Sequence, residues 1–418
     1  MTTAVPKSLS VVVLIACVCL GWAPPAHAQV VTAWNAITQR CVLGGPTPAN
    51  RGGPTGLLDI ALVQAAVHDA VQAIEGRFQS YHYANPAMRG AGSTEAAVAA
   101  ATFGLLTALY GADDPCLVGV PNPALTYAGD GGLLAGDEAA EALLPLYRPA
   151  FMAPIDPFVG GTGPGEWRPE PGVAQGAFTF MAYTTPFVLN RPSQFRPERQ
   201  PPMTSEQYRR EYDEVRVYGS LSGSARTADQ TDLARFWMSP PSTWFRALRG
   251  IADAYVPDIG DQARLLALAS LAAADAQITV YDSKYHFNFW RPATAIHEGD
   301  IDGNPNTLGD PAWTPFLPTP PYPEYSSGAN CLSGALVTTL QLFFGTDELA
   351  FSVTSSTPGL ITNPRLYVRL SDAAQEMVDV RILQGIHFRS ADEEGRRQGS
   401  RVAHWAFQKF LRPLAGGD

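Results

Sequence analysis

The chain has 418 residues, with 29 Lys and Arg against 39 Asp and Glu and a net charge of −10 at pH 7. An acidic chain with no clustered basic patch is a poor partner for nucleic acid. Its five cysteines show no CxxC or Cys/His spacing of the zinc type, and its length suits one large helical fold with long connections.

At the start, Lys7 precedes the apolar run Ser8–Ala23, and Ala26-His27-Ala28 closes on a small-x-small pattern. That pattern reads as a signal peptide cleaved after Ala28, so the expected location is secreted or periplasmic. The run is short for a membrane span and meets Pro24-Pro25, so no span is expected in the mature chain. Leu14-Ile15-Ala16-Cys17 resembles a lipobox, but the apolar run continues past Cys17, which argues against lipoprotein processing. Residues 29–418, 418 − 28 = 390 of them, are expected to form a single helical domain, and losing Lys7 moves the charge from −10 to −11. Cys41, Cys116 and Cys331 then remain, an odd number in an oxidising compartment. Cys41 with Cys116 is one candidate disulfide, which would leave Cys331 as a buried thiol.

Helical apolar spacing marks Leu57–Ile74 and Thr94–Tyr110, the latter with Ser93 or Thr94 as N-cap. The same spacing marks Leu133–Tyr147, Ser205–Tyr218, Thr227–Met238, Asp261–Lys284, Ser327–Phe344, Ser371–Gln384 and Ala391–Leu411. Strand signals are scarce, so the expected fold class is all-α, built from packed helical bundles. Residues 148–202 form a long Pro/Gly/aromatic connection that includes Gly160-Gly161-Thr162-Gly163-Pro164-Gly165. Loops that long are functional or disordered. Trp167, Phe178, Phe180 and Phe187 point to a segment packed over the bundle.

Three stretches carry chemistry. In Lys284-Tyr-His-Phe-Asn-Phe-Trp-Arg291-Pro292, seven residues at about 100° each return to nearly one helical face. A helix from Lys284 to Arg291, ended by Pro292, would present both cations side by side among aromatics. In Pro320-Pro-Tyr-Pro-Glu-Tyr-Ser-Ser327-Gly328-Ala329, a Ser-Gly turn opens a helix and offers a hydroxyl with free backbone N–H groups. In Arg381-Ile-Leu-Gln-Gly385-Ile-His387, Gly385 can end the helix and let the chain turn His387 back toward Arg381. Together they supply what a tetrahedral oxyanion requires.

The order Lys-x6-Arg-Pro, Ser-Gly-x opening a helix, then Arg-x5-His resembles the signature shared by vanadium-dependent haloperoxidases and the type-2 phosphatidic-acid and bacterial acid phosphatases. Asp59-Ile-Ala-Leu-Val to Asp69, Gly161–Pro169, Phe195-Arg-Pro, Phe236-Trp, Leu266–Asp275 and Asp302-Gly-Asn-Pro look like the secreted bacterial haloperoxidase-like branch. The resemblance implies that Lys284, Arg291, Ser327, Gly328 and Arg381 hydrogen-bond the oxyanion. It implies that His387 is the vanadium ligand of a haloperoxidase or the nucleophile of a phosphatase, with Lys284 polarising bound peroxide in the former. In both branches a histidine follows the Ser-Gly pair and handles the proton; here that position is Ala329. Ser326 stands where proline is expected, and Val380 where a serine commonly precedes the arginine. General acid-base help is worth about 10²–10⁴-fold, so its loss should weaken the ordinary reaction without emptying the pocket.

Three readings follow. One is vanadate-dependent oxidation of halide by peroxide. A second is phosphate-ester or diphosphate-ester chemistry through His387, prenyl diphosphates included, with phosphate as the pocket ligand. A third is a non-catalytic anion-binding protein. Asp300-x-Asp302-Gly303-Asn304 resembles the start of a calcium loop but lacks the Glu at the twelfth position, so calcium is not expected. His286 lies on another face from Lys284, and His297 is a better-placed substitute for the missing acid. His68 and His404 read as packing residues with satisfied nitrogens, and Asp392 as a residue orienting His387 or Arg389.

Overall fold

A computed structural model describes residues 29–44, 53–147 and 157–414. The expected signal peptide, the lipobox-like stretch and residues 148–156 of the long connection lie outside the described residues. Among the described residues there are thirteen α-helices and one two-stranded sheet, so the fold is mostly helical, as expected.

Helices α1 (Gln29–Leu43), α2 (Gly56–Glu75), α3 (Thr94–Tyr110), α4 (Pro123–Thr126) and α5 (Gly132–Leu143) come first. They are followed by α6 (Glu206–Tyr218), α7 (Ala228–Phe236), α8 (Pro240–Tyr255), α9 (Ile259–Phe287) and α10 (Pro292–His297). Helix α11 (Gly328–Phe344) precedes β1 (Glu348–Val353) and β2 (Arg365–Arg369), and α12 (Leu370–Leu383) and α13 (Arg389–Lys409) close the chain. Sequence reading did not anticipate α1, α4, α8, α10 or the antiparallel β1–β2 hairpin.

Helix α9 is the spine. Asp258 caps it by accepting from the Asp261 N–H at 2.8 Å, and nearly every residue along it is buried. Helices α2, α11 and α13 all pack against it, and one connected apolar core includes Val31, Leu62, Leu268, Leu336 and Leu411. Both α2 and α9 are long and apolar enough to cross a membrane, yet 94% of each apolar window is buried inside the fold. Their hydropathy therefore serves the core.

Buried carboxylates pin the loops. Asp275 on α9 accepts the N–H groups of Phe187, Val188 and Leu189 at 2.7–2.8 Å, and Arg196 forks onto Asp282. Phe158 stacks on Trp167 and meets Tyr285 edge-on. The described part of the long connection thus wraps α9, as its aromatics implied. Cys41 and Cys116 form a disulfide between α1 and the turn after α3, and Cys331 is a buried thiol.

The expected continuous helix from Lys284 to Arg291 does not form. Helix α9 ends at Phe287, and Asn288 takes the left-handed conformation (φ 51°), which Asn tolerates. The chain then runs extended, with Trp290 N–H donating to Gly165 O and Trp167 N–H to Asn288 O. Proline disfavours helical geometry in the residue before it, so Arg291 sits at φ −84°, ψ 158° as the N-cap of α10. Pro292 starts a helix here rather than ending one.

Candidate functional site

Three segments meet in front of the N-terminus of α11: the end of α9 with its turn, the Pro-rich approach to Ser327, and the turn after α12. Gly385, at φ 78°, reverses the chain after α12 as the sequence suggested and brings His387 to the cavity that Arg381 also lines. The cavity is about 390 Å³, and its wall includes Gln277, Tyr281, Tyr322, Gly328 and Ala329. Gln277, Tyr281 and Lys284 recur at four and three residues along one face of α9.

Ser327 is the N-cap of α11, although its side chain makes no capping bond. The first N–H of α11 to bond back is Cys331, to Ser327 O at 2.9 Å. The amides of Gly328, Ala329 and Asn330 therefore stand at the open, positive end of the helix. Lys284 is fully buried, and its ammonium donates to the carbonyls of Glu324 at 2.8 Å, Ser326 at 2.5 Å and Pro323 at 3.3 Å. Its three protons are thus engaged by the chain, and it brings the pocket positive charge. Burial, then the Arg291 charge, holds it well below the usual lysine range.

Arg291, also fully buried, donates through Nε to Tyr322 O and through Nη1 to Ile386 O, both at 2.9 Å. The same Nη1 lies 3.1 Å from Nε2 of His387. The Tyr322 ring faces both cations, 5.4 Å from Lys284 Nζ and 5.0 Å from the Arg291 guanidinium, within cation–π range. Arg381 is tied only on one side: Nη1 donates to Gln384, while Nε is buried with no partner. Burial lowers its pKa, the nearby Asp392 opposing.

His387 is held from its other nitrogen. Nδ1 lies 2.9 Å from Glu324 Oε1, which also accepts the Phe388 N–H at 3.0 Å. Burial, then the neighbouring Arg291, Lys284 and Arg381, holds His387 well below the usual histidine range. Burial pushes the Glu324 carboxyl up to about 7, against the pull of Arg291 and Lys284. The geometry suits a tetrahedral oxyanion: the Arg381 guanidinium, the open end of α11 and an imidazole line one cavity, while Lys284, Arg291 and Ser327 stand behind its wall.

A family model described as the VCPO second helical-bundle domain matches residues 264–416, which contain all three motif segments. Over those residues the chain is similar to the second helical bundle of vanadium chloroperoxidases. Vanadium chloroperoxidase of Curvularia inaequalis is 30% identical over 168 residues, 32% of this chain and 27% of that protein. The matched region spans about a quarter of that relative's length. A bacterial vanadium-dependent iodoperoxidase shares the fold at TM-score 0.78 and 24% identity, with 93% of this chain and 98% of that one covered. The holo-type bacterial vanadium-dependent chloroperoxidase matches at TM-score 0.69 and 18% identity, covering 93% and 96%. At these identities the likeness is one of fold.

Within the haloperoxidase fold several sequence-based roles move. Asp392 reaches neither His387 nor Arg389: its Oδ1 accepts from Asn330 Nδ2 at 2.8 Å beside Ser327, and burial raises it well above the carboxylate range. Arg389 pairs with Glu214 and Asp379 instead. His297 bonds Trp313 O at 2.7 Å and is not on the cavity wall, because α10 carries it away. His286 is exposed on the far face of α9, as its spacing from Lys284 implied. His68 is buried with Nε2 on Gln79 O but Nδ1 unpartnered, and His404 is exposed, so neither has both nitrogens satisfied inside the core. Asp300 and Asp302 fold their own turn, accepting from Gly309 N–H, Asn304 N–H and the Thr307 hydroxyl. Ser326, in the place of the expected proline, donates to Gln398 Oε1 at 2.7 Å. Sequence reasoning gave Glu324, Tyr322 and Gln277 no task. The available signal for Glu324 was a carboxylate alone among prolines and tyrosines, a setting in which a charge is rarely buried unless paired.

Proposed function

We propose that the cavity in front of α11 binds a tetrahedral oxyanion, vanadate or phosphate, and that the protein is a haloperoxidase-like enzyme oxidising halide with peroxide. Arg381 carries this reading. A buried guanidinium N–H without a partner costs on the order of 1–3 kcal/mol, and an anion in the cavity would satisfy it. The donor set fits vanadate: His387 would be its side-chain ligand, and Arg381 and the α11 amides would hold its oxygens, while Arg291, whose donors are spent on the carbonyls of Tyr322, Pro323 and Ile386, would add charge from behind the wall. When bound, vanadate supplies a Lewis-acidic centre that activates peroxide toward halide. Lys284 keeps the cavity positive through its charge. Ala329 offers no proton, so acid-dependent turnover should be slow.

The outer wall supports a second reading. Met238, Pro240, Pro241, Leu317, Pro318 and Leu332 make it apolar, which suits an organic leaving group. In that reading Nε2 of His387 attacks phosphorus, an N–P bond forms, and the P–O bond breaks with its electron pair on the departing oxygen. Water then hydrolyses the phosphohistidine. Without an acid at position 329, leaving groups stable as anions are favoured, such as aryl phosphates or diphosphates. The Cys41–Cys116 disulfide supports action in an oxidising compartment, secreted or periplasmic.

The deciding assay is bromide oxidation by peroxide with and without orthovanadate, run beside hydrolysis of an activated aryl phosphate. Saturable anion binding with neither activity would leave an anion-binding protein. No saturable binding at millimolar vanadate or phosphate would sink the pocket assignment itself.

A further inference from the structure

We propose that Glu324 is a positioning residue that holds His387 as the neutral Nδ1–H tautomer, so that Nε2, the nitrogen beside Arg291, carries the lone pair. The inference deepens the oxyanion reading and rests on His387 being the group that meets the anion.

Two contacts with single-role partners carry the argument. Glu324 Oε1 accepts the backbone N–H of Phe388 at 3.0 Å, and an amide nitrogen can only donate. A carboxyl hydroxyl oxygen is a much poorer acceptor than a carbonyl or carboxylate oxygen, so the contact assigns the acceptor role to Oε1 and any proton to Oε2. Nδ1 of His387, 2.9 Å from the same oxygen, must then be the donor. On the other side, Nη1 of Arg291 lies 3.1 Å from Nε2, and a guanidinium has no acceptor. A proton on Nε2 would face that N–H directly, so Nε2 carries the lone pair. Of the three states open to a histidine, only one satisfies both neighbours.

Glu324 also serves the pocket through its backbone, because its carbonyl accepts from Lys284 Nζ at 2.8 Å. One residue thus locates both the imidazole and the ammonium charge. A carboxylate that orients the far nitrogen of a ligand histidine raises its basicity and fixes its ring plane. A mere tie between the Pro-rich segment and the turn after α12 would need only the Phe388 N–H contact and would leave the ring free to choose its tautomer.

The test is ring-nitrogen NMR of the full mature chain labelled with 15N-histidine, first without any anion, His387 being assigned by its loss in His387→Gln. The wild type is expected to show a protonated Nδ1 and an unprotonated Nε2 at His387. A protonated Nε2 in the wild type, alone or in an imidazolium, overturns the proposal without recourse to any Glu324 variant. Glu324→Gln keeps an acceptor and should keep the tautomer. Glu324→Leu should lose it and weaken orthovanadate binding about 10–100-fold, the usual cost of removing such a partner. An unchanged tautomer in a folded Glu324→Leu protein also overturns it. Orthophosphate is added last: an Nε2 shift that saturates supports the oxyanion reading. The stated tautomer without any such shift upholds the role of Glu324 and removes the oxyanion reading alone.

Discussion

Nη1 of Arg291 and Nε2 of His387 stand 3.1 Å apart across 96 positions of chain. The same guanidinium donates to Tyr322 O and Ile386 O, so Arg291 knots together the turn after α9, the approach to α11 and the turn after α12. Arg381 enters the same cavity with far fewer ties, one nitrogen on Gln384 and Nε on nothing. The two arginines are equivalent in the sequence pattern, yet one is built into the frame and the other is left for a ligand.

That difference gives the first prediction. Arg381→Gln removes a buried charge with little internal pairing, so the melting temperature should hold or rise. Anion affinity should fall by roughly 2–5 kcal/mol, the usual loss for one partner of a buried charged contact. Calorimetric titration with orthophosphate and orthovanadate, beside a thermal melt, checks both. Unchanged affinity would show that the guanidinium does not face the ligand.

The disulfide supplies a second. Cys41 and Cys116 close a loop with a sequence separation of 75, and a cross-link of that kind restricts the unfolded chain. The double variant Cys41→Ala, Cys116→Ala should lose about 2–4 kcal/mol in urea unfolding. The loss should match that of the wild type in reductant. A double variant as stable as the oxidised wild type would mean that α1 is held by packing alone.

Glu75, the last residue of α2, gives a pH dependence. Burial, then Asp258, pushes its carboxyl up to about 7, Arg77 opposing, and its Oε2 has no hydrogen-bond partner. A folded-state pKa above the unfolded one contributes stability that is complete below the unfolded value near 4.5 and is lost as pH rises through about 7. Glu75→Gln does not titrate, so its melting temperature relative to wild type should climb between pH 5 and pH 8. The climb should be on the order of 1 °C, since the group is partly exposed and screened. A difference that stays flat across that range would remove Glu75 as the cause.

The contrast between what could and could not be read in the sequence has physical roots. Thr94–Tyr110 was legible to the residue because Ser93 caps it and Gly111 follows it. Helix α8 escaped because Pro240-Pro241 reads as a loop, although proline in the first helical turn costs no hydrogen bond. Helix α1 escaped because its buried face is half polar, with Thr32, Asn35, Thr38 and Gln39 on it, so the apolar spacing is weak. At the site, Arg381, His387 and the Ser327-Gly328 turn could be placed from motif and turn chemistry, with Gly385 as the reversing residue. The route from Lys284 to Arg291 could not, because counting along a helix ignores the left-handed Asn288 and the constraint that Pro292 puts on the residue before it. The Glu324 contact joins residues 63 apart in sequence through a fold that no local pattern encodes.

Ala329 carries the last prediction. It occupies the first turn of α11, just past the open amides, and lines the cavity that His387 and Arg381 share. That cavity, about 390 Å³, leaves room for an imidazole. A histidine there would restore a proton donor beside a bound oxyanion. The surroundings set its working range: burial and the three cations that hold His387 well below the usual histidine range would act on a second imidazole in the same direction. Its protonated form would therefore be populated below the ordinary histidine pKa, and the gain should appear on the acidic side of neutral. Ala329→His should raise bromide oxidation or alkyl-phosphate hydrolysis by roughly tenfold or more there, a modest part of what a general acid supplies. Adding His387→Ala should abolish the gain, since it removes the group that meets vanadium or phosphorus. A folded Ala329→His protein that binds vanadate and gains neither activity would mean that the pocket has been remodelled for other chemistry, and both enzymatic readings would fall together.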